Sequence, residues 1–446
     1  MDKYKYTEIA AQIRAAIESG DYPVGSKLPA HRALAKKLQT TAVTVSKAYQ
    51  LLAQQRVVES FVGRGSYVLG ERLDKVIHAQ HSVDELNFSI LQPHLTQSVR
   101  LLSQQLVTSF SHFDDTRLFG YSENSGLLEH RNAGAKWCQY YGLEVADAQQ
   151  ILLTNGAQNA LASLIQLYSN EGDCIAVEAL TYPGILAICK HLRRTVVAVA
   201  MDEQGMLAED LQAQCSKQKP AMVIVLPSQQ NPTGATMGEM RRQAIAKVIK
   251  KQDIWLLEDD IYAFLNDQKL GPISNLIPSK SFYISSLSKS ISPGLRCGYI
   301  KAPQEQLAKL ADFIRATLWL PSPFVFEVAT NLITAGQAFE MAANQREFAG
   351  RRQRLVTRHL PQARIERQRA SYSCWLHLPE GVTTQKFTCA AAEKNIIVSD
   401  ASYFNSASAV NAVRLSVMSV AQESLFIEGL KSINQLINSP TASYRN

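Results

Sequence analysis

The sequence predicts a multidomain protein, a small helical head joined to a large α/β body, and three observations carry that expectation. The chain has 446 residues, several times the length of one ordinary domain. Hydrophobic residues make up 46% of it and charged residues 19%, which excludes wholesale disorder and provides for a large buried interior. The net charge of +7 is unevenly placed: residues 1–70 hold ten Lys/Arg against five Asp/Glu, so most of the basic excess sits in under a sixth of the chain. A basic head on a nearly neutral body suits a polyanionic partner, while a small solvated basic domain remains the plainer reading.

The seven cysteines form no CxxC pair and no metal-ligand spacing, so they read as reduced, mostly buried thiols, and no metal is expected. The N-terminus MDKYKYTEIAAQIR is charged from its second residue, and the longest apolar runs, such as Ala221–Leu226, fall far short of a membrane span. The chain is therefore expected in the cytoplasm, away from membranes.

In the head, Ile9, Ile13 and Ile17 recur at i, i+4 and i+8 and predict a first helix, closed by the turn cluster Ser19-Gly20-Asp21-Tyr22-Pro23. His31–Leu38 sets Leu34, Ala35 and Leu38 on one face of a second helix. After the polar break Gln39-Thr40-Thr41, a third helix turns Val45, Ala48 and Leu52 inward. Two short helices around so tight a turn make a helix-turn-helix. Val57–Phe61 and Ser66–Leu69 flank Val62-Gly63-Arg64-Gly65, a hairpin whose tip offers an arginine, and together these elements have the shape of a winged helix.

Residues 71–84 lack a sustained apolar period and read as a linker. Beyond them, Ile151–Leu153, Cys174–Val177, Val196–Val199, Met222–Leu226, Trp255–Leu257 and Phe282–Ile284 are candidate strands between longer helices. Continuous apolar strands alternating with helices predict a mostly parallel sheet covered on both faces. From about Lys301, two long helical segments precede strand-like pieces at Ser373–Leu378, Ile396–Val398 and Ala412–Val417, which predicts a smaller α+β unit. The expected division is residues 1–70, 71–84 and 85–446, the last split into a large unit at about 115–300 and a small one at 301–446.

The most specific motif runs from Ser285 to Tyr299, with Ser286, Ser288, Lys289 and Arg296 following a strand. A lysine among hydroxyls, with an arginine seven residues on, suits a cofactor that has both an aldehyde and a phosphate: the amine can form a Schiff base while the hydroxyls and guanidinium bind the dianion. Alone, the segment also fits an ordinary basic loop. Three upstream segments weigh against that reading. Asn155-Gly156-Ala157-Gln158-Asn159 opens an apolar helix after a strand, offering N–H groups to a phosphate. Asn231-Pro232-Thr233-Gly234 follows another strand, and its asparagine can donate to a phenolate oxygen. Glu258-Asp259-Asp260-Ile261-Tyr262 sets carboxylates and a phenol at the carboxyl edge of the sheet, where ligands of α/β proteins bind.

With these segments in this order, residues from about 85 to 446 resemble a fold-type I pyridoxal-phosphate enzyme of the aspartate-aminotransferase superfamily. The first seventy resemble a GntR-type winged helix, and the fusion resembles the MocR/GabR-type subfamily of bacterial transcription regulators. The resemblance implies that pyridoxal 5'-phosphate is the cofactor and Lys289 its Schiff-base lysine, with Asp259 on the pyridinium nitrogen and Asn231 and Tyr262 on the ring 3-oxygen. It implies Tyr182, in Thr181-Tyr182-Pro183-Gly184, as the aromatic stacked on the ring, and Ala157, Gln158, Ser286, Ser288 and Arg296 as the phosphate site. Tyr121 matches the tyrosine that reaches a neighbouring subunit's phosphate, which implies a homodimer, head to tail. Arg414, in Asn411-Ala412-Val413-Arg414, matches the arginine that grips an effector carboxylate.

In the head the resemblance assigns operator DNA contacts to Arg32, Thr41, Thr44, Ser46, Lys47 and, at the wing tip, Arg64. Two departures lie near the pocket. Leu91 stands where these enzymes commonly have glycine, and Ala370-Ser371-Tyr372-Ser373-Cys374-Trp375 stands where a glycine pair often precedes an aromatic strand. Added side chains there reshape the ligand site, so the effector need not be an ordinary amino acid. The expected function is a transcription regulator that senses pyridoxal phosphate, alone or with an amino acid or amine. The alternative is a working aminotransferase with an appended DNA-binding head.

Overall fold

In the head, the apolar stripe of residues 9, 13 and 17 forms one side of helix α1 (Asp2–Glu18), which packs on α3 (Ala42–Gln54) with α2 (His31–Lys37) beside it. Ile9, Ile13, Leu34, Ala35, Val45, Ala48 and Leu52 share one small core, as their helical spacing requires. Strands β1 (Val58–Phe61) and β2 (Gly65–Val68) pair antiparallel in the register Val58↔Val68. The computed structural model describes residues 2–19, 21–23, 25–54, 57–61, 65–68, 85–111, 118–121, 125–266, 270–405 and 410–438. Arg64 and the linker expected at 71–84 lie outside the described residues. The chain divides into two compact units, one within Met1–Ala79 and one within Gln80–Tyr444.

The body begins with β3 (Leu86–Asn87), α4 (Leu95–Ser111) and α5 (Leu128–Tyr140). Strands and helices then alternate: β4 (Ile151–Asn155), α6 (Gly156–Tyr168), β5 (Cys174–Glu178), α7 (Pro183–His191) and β6 (Thr195–Val199). A small ribbon, β7 (Met201–Asp202) and β8 (Gly205–Met206), leads to α8 (Ala208–Lys217), β9 (Met222–Val225), α9 (Glu239–Gln252), β10 (Trp255–Asp259), β11 (Ser281–Ser286) and β12 (Cys297–Lys301). One seven-stranded sheet results, in the order β4-β12-β11-β10-β9-β5-β6. All its strands run parallel except β12, which is antiparallel to both neighbours. Its central strands are buried along their whole length, which is why they read as unbroken apolar runs.

Three helices follow, α10 (Leu307–Leu318), α11 (Pro323–Thr334) and α12 (Gln337–His359), where the sequence predicts two. Pro323 starts a new helix at its favoured first position, and Gly336 at φ +83° separates the next. Leu310 and Ile314 of α10 pack with Leu161 and Ile165 of α6, and α11 packs on α5 and β12. These two helices thus belong with the large sheet, although they follow the division expected at 301. The small sheet is ordered β13-β14-β17-β16, from β13 (Ile365–Glu366), β14 (Ser373–His377), β16 (Ser399–Asp400) and β17 (Ala412–Ser416). Helices α13 (Thr384–Ala392) and α14 (Glu423–Asn438) cover it, and β15 (Ile396–Ile397) pairs parallel with β3. Residues 86–89 are thereby fastened to the small unit: Phe88 stacks on Phe426, and Ser416 N–H donates to Phe88 O at 2.6 Å.

Candidate functional site

The carboxyl ends of β4, β10 and β11 open onto one edge of the large sheet, and the predicted cofactor residues come from the loops beyond them. After β4 the chain turns at Gly156, φ +78°, straight into α6, which sets Ala157 and Gln158 in the first helical turn with unpaired N–H groups. A Cβ on Gly156 would stand 2.6 Å from Arg296 Nη2, so the glycine is what lets the guanidinium lie over the helix start. Arg296 itself takes a left-handed conformation at φ +49° and donates to Asn155 O at 3.1 Å. The Ser286 hydroxyl donates to Cys297 O at 2.8 Å and lies 3.0 Å from Ser288 Oγ. Two hydroxyls, a guanidinium and a helix N-terminus are therefore gathered at one place.

Lys289 Nζ donates to the carbonyl oxygen of Leu91 at 2.6 Å, and the Tyr372 hydroxyl donates to Lys289 O at 2.8 Å. Burial pulls the Lys289 ammonium down to about 8; Arg414 acts in the same direction, while Asp259 opposes it. Asp259 ends β10 and is buried with its Oδ1 unpartnered, and burial pushes its carboxyl up to about 7. Tyr262 is buried beside it, its phenol raised by desolvation with the Arg414 charge acting the other way. Tyr182 precedes α7, which begins at Pro183, and its phenol is raised by burial and by Asp259.

Arg414, on β17 of the small sheet, is 4% exposed. It donates to Asn231 Oδ1 at 2.8 Å, to Ser399 Oγ at 3.2 Å and to Ser89 O, and lies 4.7 Å from the Phe404 ring centre. The sequence-predicted residues of the body thus converge, apart from Tyr121. That side chain is 81% exposed, edge-on to Trp319 at 5.6 Å between ring centres. Sequence reasoning did not single out Ser89 or the carbonyl of Leu91 as partners, because a backbone acceptor leaves no side-chain signature. Leu91, Ser371, Tyr372 and Ser373 line a cavity with Gln229, Asn231 and Tyr262, so both departures noted in the sequence meet at one place.

Pyridoxal phosphate fits this set of groups. The unpartnered Asp259 Oδ1 is an acceptor placed for a cationic ring nitrogen, the Gly156 cradle with Arg296, Ser286 and Ser288 is placed for a dianion, and the Lys289 amine is placed for an aldehyde. Among the described residues, no group of three or more His, Cys, Asp or Glu is arranged to hold a metal, and no helix is long and apolar enough to cross a membrane.

In the head, Arg32 and Lys47 are exposed and Ser46 is half-buried. Thr41 and Thr44 are occupied with each other. Thr41 Oγ1 accepts from Thr44 N–H at 3.1 Å, the two hydroxyls lie 2.7 Å apart, and Thr44 is 8% exposed. These threonines cap α3, and Thr44 does not stand out toward solvent.

Residues 84–430 match the family described as Aminotransferase class I and II, and residues 5–68 match that described as Bacterial regulatory proteins, gntR family. The chain is 27% identical to the uncharacterized HTH-type transcriptional regulator YdeF of Bacillus subtilis, over 99% of this chain and 96% of that one. It is 25% identical to YdfD of the same organism, another uncharacterized HTH-type transcriptional regulator, over 84% and 83%. Among solved structures, a kynurenine aminotransferase of Pyrococcus horikoshii, in complex with PMP, shares the fold at a TM-score of 0.75 and 23% identity, over 83% of this chain and 94% of that one. With its sheet order, its gathered lysine, aspartate and arginines and the match across 84–430, the chain belongs to the aminotransferase class I and II family, and it carries a gntR-type head at its N-terminus.

Proposed function

We propose that the protein is a DNA-binding transcription regulator whose aminotransferase-like body binds pyridoxal phosphate, alone or with an amino acid or amine effector. The observation that carries this reading is the full-length likeness to YdeF, in which head and body are matched together over 99% of this chain. Bound in the body, the cofactor supplies an aldehyde that joins primary amines and a ring that withdraws electrons. The chain's own groups do the rest. Arg296, Ser286, Ser288 and the first turn of α6 bind the phosphate end. Asp259 holds a proton on the ring nitrogen, Asn231 and Tyr262 orient the ring oxygen, and Tyr182 covers one face. Lys289 reaches neutral form near pH 8, so its amine is available close to physiological pH.

Arg414 is the group for an effector carboxylate: three of its five N–H groups serve Asn231, Ser89 and Ser399, and its buried Nε–H has no partner and is available to a carboxylate oxygen. An effector switches the protein only through unequal affinity for two conformations of the body. A homodimer, head to tail, is supported by neighbouring aromatics that one chain leaves in water: Phe119, Tyr121 and Trp319 are all exposed. Operator binding is assigned to Arg32, Ser46 and Lys47, with Arg64 at the wing and Thr41 and Thr44 shaping the helix start.

The complete set of Lys289, Asp259, Asn231, Tyr262 and Arg414 supports a second reading, a working aminotransferase with an appended head. Sustained keto-acid production from amino-acid pools, assayed beside binding to the DNA upstream of its own gene, separates the two. Efficient turnover without specific DNA binding would overturn the regulator. Purified protein should be yellow, and Lys289→Ala should lose that absorbance; an unchanged spectrum would remove Lys289 from its role.

A further inference from the structure

Helix α3 has a buried face and a bare one. Val45, Ala48, Tyr49 and Leu52 point into the head's core, while Val43, Lys47 and Gln50 are exposed, at i, i+4 and i+7 of a single outward stripe. Lys47 and Gln50 are polar and at home in water. Val43 is 66% exposed, stands second in the helix, and adds nothing to the core. Its neighbour Thr44 is turned inward and bonded to Thr41, so at the tip of the helix the valine is the side chain left facing outward. The two packed helices α2 and α3 also expose cationic side chains: Arg32, Lys36 and Lys37 on α2 and Lys47 on α3.

We propose that Val43 is a specificity-determining residue that reads a thymine, its isopropyl group packing on the C5-methyl in the major groove of each operator half-site. The inference rests on the DNA-binding reading given above and names the base. A recognition helix enters the groove so that its N-terminal residues meet base edges. An isopropyl group has no donor or acceptor for N7, O6, N6, N4 or O4, so every polar base edge it covers is left unpaired. The thymine methyl is the one apolar group that the major groove presents. The exposed lysines and arginine of α2 and α3 are suited to phosphate, which sets register without reading sequence. Chemistry thus divides the surface: charge for affinity, one valine for a methyl.

The test uses the full-length protein and random duplex DNA. Sites are enriched by binding, and each thymine of the enriched site is then replaced singly by deoxyuridine, which removes only the methyl. In each half-site one such replacement should weaken the wild type about four-fold, the order expected for a buried methyl. Val43→Ala should bind thymine and deoxyuridine sites equally, and because the side chain is exposed its fold should be unaffected. Methyl-sensitivity that survives in Val43→Ala, or a wild type indifferent to every replacement, overturns the assignment of Val43 while leaving DNA binding in place. Failure of any duplex to enrich overturns the DNA-binding reading, and this inference with it.

Discussion

Lys289 is the residue in which the site's electrostatics are most exposed to measurement. Its ammonium is held down to about 8 by burial and by Arg414, so reaction of the cofactor-free protein with added pyridoxal phosphate should speed up about ten-fold per pH unit below that value and level off above it. A stopped-flow pH series checks this. Asp259 pulls the lysine's pKa upward, so Asp259→Asn should move the midpoint lower. The linkage has a matching sign: between about pH 8 and 10.5 the unfolded chain holds more protons at this residue, so its contribution to stability rises with pH across that window. At this scale the sequence was legible wherever a residue acts through a distinctive side chain. Lys289, Asp259, Asn231 and Arg414 each carry a charge or an amide on a strand or in the loop just beyond one, and the structure brings them together. Ser89 and Leu91 act through their carbonyls, which every residue possesses, and Thr44 carries a hydroxyl that looks like a DNA contact until its cap is seen.

At the scale of elements, α3 depends on the cap at its entrance. Thr41→Ala removes an acceptor for the Thr44 N–H, and such losses cost about 1 kcal/mol. Amide exchange in α3 should accordingly quicken by roughly five-fold while the helices of the body keep their protection; unchanged exchange in α3 would show the cap to be idle. The helices were readable because one-sided burial imposes a period on them, and the parallel strands because burial on both faces leaves short unbroken apolar runs. The reversed strand β12 was not, because Cys297–Lys301 lies inside a stretch dominated by the phosphate motif and carries glycine and lysine among its five residues. Gly298 is required there by close packing: a Cβ would come within 2.5 Å of Thr154 Oγ1 and 2.7 Å of the Gly156 backbone. The place of α10 and α11 was equally hidden, since an apolar helical stripe announces that it is buried without saying against which sheet.

For the whole molecule, the uneven charge makes DNA binding a salt-dependent quantity. If a dimer neutralises about six phosphates, log affinity should fall against log salt with a slope of roughly −5, measurable by fluorescence anisotropy. A slope near zero would contradict the assignment of the basic head to DNA. The bond from Lys289 to Leu91 has a consequence at this scale too. Leu91 continues the segment that β3, Phe88 and Ser416 fasten to the small sheet, whereas Lys289 stands on the loop beyond β11 of the large one. An amine committed to an aldehyde no longer offers an ammonium's protons to a carbonyl. With Lys289 in the role proposed for it, loading the cofactor would release this bond between the two halves of the body and leave them freer to move against each other.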